Sequence, residues 1–254
     1  MERDVSIPNF KAYLGLHFAE EYLCTKILGK SFPNRCIKKS GKDFRDMGFN
    51  DAEPDYYVRN KNKAYLFECK DALFESSAKV SFDIDKVHDE LRKKMHYTVD
   101  KKGKESPKAV RQLLRNAKRL IEEKIIDDSV NIDLVRIYPI IITHDRAFTS
   151  PGVNWTINQW WMQDVEENSL HIKSHVSSLF MIDIDTLILT NSRLKSRRFI
   201  LERWLDWYEK KMLLNNHELN QLPFAEYAHG FLFAKRNDYR EMIQDLKVLI
   251  TSEE

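Results

Sequence analysis

Apolar residues first recur at helical spacing across residues 9–29, with Phe10, Tyr13, Leu14, Phe18, Leu23, Ile27 and Leu28 on one stripe. This predicts a helix that stops at Gly29. A short strand is expected over 35–38, and a loop over 40–51. Tyr56-Tyr57-Val58 and Tyr65-Leu66-Phe67 are aromatic and large apolar runs around the polar stretch Arg59-Asn60-Lys61-Asn62-Lys63. That pattern predicts two strands joined by a hairpin loop. From 71 to about 106 the chain is polar with scattered apolar positions, as in an insertion that is partly helical over 86–97. After Pro107, the residues Ala109, Val110, Leu113, Leu114, Ala117, Leu120 and Ile121 restore helical spacing. The run Leu134-Val135-Arg136-Ile137-Tyr138-Pro139-Ile140-Ile141-Ile142-Thr143 suits a buried central strand, in which Pro139 calls for a bulge or a strand edge.

Beyond residue 150 the pattern predicts helices over 154–167 and 199–214, with strand or buried extended segments at 178–184 and 187–189. All five Trp residues (Trp155, Trp160, Trp161, Trp204 and Trp207) lie in this part. It is expected to pack its aromatics against the preceding core or a partner. The chain thus divides into a core over 1–150, carrying the insertion at about 71–106, and a Trp-rich extension over 151–254.

Composition narrows the class. With 254 residues, 43% hydrophobic, the chain can build a sizeable core. No apolar run approaches the length of a membrane span, so no membrane is expected as a partner. The start, Met1-Glu2-Arg3-Asp4, lacks a signal-peptide h-region. Cys24, Cys36 and Cys69 form no zinc spacing, and an odd count points to a reducing cytoplasm. Net charge is only +2, but residues 86–124 hold thirteen Lys or Arg against six Asp or Glu. Lys101, Lys102 and Lys104 fall in the insertion, and Arg111, Arg115, Lys118 and Arg119 on the helix that follows. Such a basic stretch is suited to nucleic-acid phosphates.

The segment Pro54-Asp55 … Glu68-Cys69-Lys70 carries the candidate chemistry. Alternation on a strand sends Glu68 and Lys70 to one face and Cys69 to the other. If the hairpin closes, Asp55, near the base of the partner strand, can reach the same face as Glu68. Two carboxylates and an ammonium are costly to gather without a role. A hard divalent cation such as Mg²⁺ provides one, since it takes carboxylate and carbonyl oxygens and leaves positions for water or phosphate.

These residues, in the order helix, antiparallel meander, helix, strand, resemble the PD-(D/E)xK nuclease superfamily. The likeness covers about residues 9–145. It implies an α/β, restriction-endonuclease-like core with a mixed, largely helical C-terminal extension. It also implies a Mg²⁺-dependent phosphodiesterase, for which Mn²⁺ substitutes, acting in the first place on DNA, with RNA left open. Asp55, Glu68 and the backbone carbonyl of Cys69 would then hold the metal, helped by either Glu20 or Glu21 on the first helix. Lys70 would orient the attacking water and stabilise phosphate charge, and Gln112 would be a fourth marker beside Lys70. A prokaryotic or phage defence or restriction setting is the expectation by analogy, with a protein partner for targeting and a homodimer both open. Two other readings stand beside it. One is a catalytically silent nuclease fold serving as a scaffold for a protein or nucleic acid. The other is a structure-specific DNA repair or recombination nuclease.

Three further patterns carry little. Gly29-Lys30-Ser31 ends like a phosphate-binding loop, but Cys24 stands where its first Gly belongs. His171 and His175 lack the rest of a metalloprotease motif and read as surface residues. Asp183 and Asp185 would share a strand face, as a solvated edge or turn.

Overall fold

The computed structural model describes residues 22–49, 53–81, 83–122, 131–195, 200–214, 216 and 220–232. In chain order the elements are α1 (Thr25–Ser31), β1 (Ile37–Ser40), α2 (Gly41–Asp46), β2 (Tyr56–Asn60), β3 (Lys63–Lys70), α3 (Ser76–Val80) and α4 (Ile84–Met95). They continue with β4 (Tyr97–Val99), β5 (Glu105–Pro107), α5 (Ala109–Glu122), β6 (Arg136–Thr143), α6 (Val153–Asn168), β7 (Phe180–Asp183), α7 (Ile184–Leu194), α8 (Ile200–Met212) and α9 (Phe224–Leu232).

The fold is α/β, built on a mixed five-stranded sheet of order β1-β2-β3-β6-β7. The first three strands form an antiparallel meander. The last three run parallel. A parallel neighbour needs a crossover, and the segment from α3 to α5 supplies it between β3 and β6. Alternation then divides the sheet into two cores. Tyr65, Phe67, Cys69, Tyr138, Ile140, Ile142 and Phe180 face α1, α7 and α8 through Leu28, Leu187, Trp204 and Leu205. Ala64, Leu66, Ile137, Ile141 and Met181 face α5 and α6 through Leu113, Ala117, Ile157 and Trp161. Among the described residues no helix is long and apolar enough to cross a membrane.

Pro139 sits inside β6 without costing a ladder bond. Ile137 N–H donates to His175 O, on the β7 side, at 2.7 Å. Two residues on, the missing N–H of Pro139 faces that same side. There the neighbouring chain has left the ladder: after the Ile137↔Val176 bridge, pairing resumes only at Ile140↔Phe180. In between, Ser178 N–H turns to Glu209 and Leu179 N–H to the Asn158 side chain. The proline occupies a gap in the ladder, as its chemistry requires.

Four local expectations are corrected. The first helix runs through Gly29 to Ser31, whose hydroxyl donates to Ile27 O at 2.7 Å. The first strand is shifted to Ile37–Ser40. The expected loop over 40–51 contains α2, opened by a capping box in which Ser40 and Asp43 exchange hydrogen bonds. Leu187-Ile188-Leu189 is helical, within α7. Asp183 is the N-cap of that helix and accepts from Thr186 N–H at 2.8 Å. Asp183 and Asp185 therefore share no strand face, and Asp185 pairs with Arg146 instead. The expected insertion holds α3, α4 and the β4–β5 hairpin. Of the five Trp residues, Trp160, Trp161 and Trp204 are buried, whereas Trp207 is 42% exposed.

Candidate active site

The β2–β3 hairpin aligns the acidic residues. Tyr57 pairs with Leu66 and Tyr56 with Phe67, so one further step sets Asp55 opposite Glu68, on the same face as Leu66. Asp55 is fixed there by its Oδ2, which accepts the Cys69 backbone N–H at 2.7 Å. In a strand the N–H and C=O of one residue point to the same edge. The Cys69 carbonyl therefore also turns toward the Asp55 side. Burial pushes the Asp55 carboxyl above its ordinary value, outweighing the nearby Lys70 charge and the Cys69 hydrogen bond. Glu68 is only 3% exposed. Its Oε1 accepts from Lys70 Nζ at 2.7 Å.

Lys70 connects this pair to an open space. It lines a cleft of about 470 Å³ together with Gln112, Lys93, Lys94 and Lys108, whereas neither Asp55 nor Glu68 lines it. Gln112 N–H bonds to Lys108 O at 2.8 Å in the first turn of α5, so its place over the cleft follows from the packing of α5 on β3. Its Oε1 is buried and has no hydrogen-bond partner. Thr143 stands level with Lys70 in the β3–β6 register, on the same sheet face. It is fully buried, and its Oγ1 is also unpartnered. Two orphaned oxygens near Lys70, one across the cleft and one on the neighbouring strand, mark a polar place that lacks its counterpart.

The cleft also holds residues that the motif does not point to. Glu90 on α4 is buried at its wall, with Lys94 Nζ at 3.4 Å. Asp71 and Glu75 line the mouth. The helical spacing of Glu90 and Lys94 was the available sequence signal, but it says nothing of what α4 faces.

Beneath the opposite face, Cys69 and Cys24 are buried thiols in hydrogen-bond contact, and Cys24 Sγ is 3.7 Å from His144 Nε2. The Cys69 contact, opposed by burial and aided by His144, pulls the Cys24 thiol down to about 7. Burial drives the Cys69 thiol the other way. All three described cysteines are free.

The basic residues separate into two places. Lys101, Lys102 and Lys104 occupy the turn of the β4–β5 hairpin, where Asp100 Oδ1 accepts from the backbone N–H groups of Lys102 and Lys104. Arg111, Arg115, Lys118 and Arg119 line a groove between α5 and α6 and not the Lys70 cleft. The cations that line the cleft with Lys70 are Lys93, Lys94 and Lys108. Glu20 and Glu21 lie outside the described residues.

Among the described residues no group of three or more His, Cys, Asp and Glu side chains is gathered for a metal ion. The donor set nevertheless fits a hard divalent cation. Asp55 and Glu68 offer carboxylate oxygens from facing positions of two strands, and the Cys69 carbonyl turns to the same side, which is the oxygen chemistry such an ion takes. In the present arrangement Lys70 takes a Glu68 oxygen. In comparison with known proteins, the chain gives no significant match to any family model, curated protein or solved structure.

Proposed function

We propose that the protein is a metal-dependent nuclease with a restriction-endonuclease-like core, hydrolysing phosphodiester bonds in DNA. The observation that carries this reading is the juxtaposition of Asp55 with Glu68 on one sheet face, with Lys70 leading from Glu68 into a cleft that Lys93, Lys94 and Lys108 also line. Asp55, Glu68 and the Cys69 carbonyl would hold Mg²⁺ or Mn²⁺. When bound, the ion supplies Lewis-acid polarisation of the phosphate and a lowered pKa for water.

The chain's own groups do the rest. Lys93, Lys94 and Lys108 neutralise the entering phosphates. Lys70 Nζ lies between Glu68 and the cleft, so it can leave the carboxylate and meet the oxygen on which charge builds. Gln112 Oε1 accepts a hydrogen bond from the attacking water and orients it toward the phosphorus. Glu90 bounds the same space, and Thr143 stands beside Lys70 on the neighbouring strand.

The test is cleavage of supercoiled plasmid and of linear DNA with Mg²⁺ or Mn²⁺, using wild type, Asp55→Asn and Lys70→Ala. Metal-dependent nicking or linearisation that is lost in both variants supports an endonuclease. Degradation of linear DNA alone supports exonuclease action. A folded protein that cuts neither substrate with either metal contradicts the reading and favours the silent scaffold.

A further inference from the structure

The four helix cations of the sequence's basic stretch lie outside the proposed cleavage cleft, and the groove they line has features of a binding site. It measures about 450 Å³ and shares no lining residue with the Lys70 cleft. Arg111, Arg115 and Lys118 follow one another on a single stripe of α5. Seven residues at about 1.5 Å rise separate the first from the last, roughly 10 Å. That span matches about three phosphates of one strand at about 3.4 Å each along the axis. It exceeds what a single phosphate group can occupy.

The groove is electrostatically prepared for an anion. Its two acids already have partners: Asp164 Oδ2 is 2.8 Å from His96 Nε2 and 3.6 Å from Arg111 Nε, and Glu122 Oε1 is 2.7 Å from His171 Nε2. Arg115 is exposed and has no charged partner among the described residues. An independent observation comes from Ser169 at the floor. It is 2% exposed, lines the groove, and its hydroxyl has no hydrogen-bond partner. A buried hydroxyl left unpaired is costly, and a phosphate oxygen is a partner that would satisfy it. The hairpin carrying Lys101, Lys102 and Lys104 is tied to the same end, because Glu105 pairs with Arg111 and Tyr97 lies under the Arg111 guanidinium at 4.3 Å.

We propose that the α5–α6 groove binds the sugar–phosphate backbone of a nucleic acid at a distance from the site of cleavage. The proposal rests on the nuclease reading for its choice of ligand, and it adds a second contact that anchors DNA independently of the metal site.

The experiment measures binding of a fluorescein-labelled DNA duplex in metal-free buffer across a salt series. It compares wild type with Arg115→Ala/Lys118→Ala, Ser169→Ala and the cleft variant Lys93→Ala/Lys94→Ala. The groove double variant is expected to reduce the slope of log affinity against log salt by about 2, one for each lost phosphate contact. Ser169→Ala is expected to weaken binding with the salt slope unchanged. A folded groove double variant with wild-type affinity and slope overturns the proposal. Plasmid cleavage on the same samples separates the two readings. Cutting without groove dependence removes the groove alone, whereas groove-dependent binding without cutting removes the nuclease reading alone.

Discussion

Asp55 Oδ2 accepts the backbone N–H of Cys69 at 2.7 Å, so the carboxyl group just before β2 is locked to the peptide that joins Glu68 to Cys69. A side chain held by a neighbouring backbone keeps its position whatever the Cys69 side chain is. Cys69→Ala should therefore retain metal-dependent cleavage within a few-fold. Losing a fully buried sulfur beneath the sheet should lower stability by about 1–2 kcal/mol. Urea unfolding beside a cleavage assay checks this. A large loss of activity at unchanged stability would mean that the thiol, not the backbone, serves the site.

The raised Asp55 carboxyl predicts a pH signature. In the unfolded chain Asp titrates near about 3.9. In the folded, metal-free protein burial holds the proton on to higher pH. Between the two values the unfolded chain has lost its proton and the folded one has not. The contribution of Asp55 to stability therefore falls as pH rises through this window and is level above it. Asp55→Asn keeps an acceptor for Cys69 N–H and removes the titration. The stability difference between wild type and Asp55→Asn, followed by urea unfolding from low to neutral pH, should shift steadily in favour of the variant. A shift in favour of wild type would show that Asp55 is stabilised as an anion.

Thr143 offers a separation of stability from activity. Its hydroxyl is buried level with Lys70 and lacks a partner. Thr143→Val keeps the shape and removes the unsatisfied group, so the protein should gain about 1–2 kcal/mol. If that hydroxyl completes the polar end of the site, the cleavage rate should fall at the same time. A loss of stability in thermal unfolding would mean that the hydroxyl is paired in solution.

Lys70 bridges Glu68 and the cleft. Its replacement by Ala should lower the cleavage rate by about 10²–10³-fold, the usual cost of removing one group that stabilises developing charge. Lys70→Arg should recover little, because a planar fork does not replace a compact ammonium held between a carboxylate and a phosphate. Single-turnover cleavage rates at saturating metal report this directly.

Much of this arrangement is legible in the sequence. The β2–β3 hairpin, α5 and β6 follow from their own apolar periodicities, and alternation alone brings Asp55, Glu68 and Lys70 to one face. Even Pro139 announces an interrupted ladder. What the sequence conceals is set by tertiary packing. The helical state of Leu187-Ile188-Leu189 depends on Asp183 capping α7. The Ser40–Asp43 capping box was a readable signal for α2. Thr143 stands beside Lys70 only because β6 pairs with β3, and Glu90 reaches the cleft only because α4 lies against it. Likewise, helical spacing puts Arg111, Arg115 and Lys118 on one stripe, but only the position of α6 turns that stripe away from Lys70.

The most direct test of the account is a calorimetric titration of the metal-free protein with Mn²⁺, for wild type, Asp55→Asn and Lys70→Ala. The account predicts saturable binding by wild type, loss of binding in Asp55→Asn, and equal or tighter binding in Lys70→Ala, where Glu68 is released from its ammonium partner. Binding that survives Asp55→Asn, or a folded wild type that takes up no metal, would contradict it.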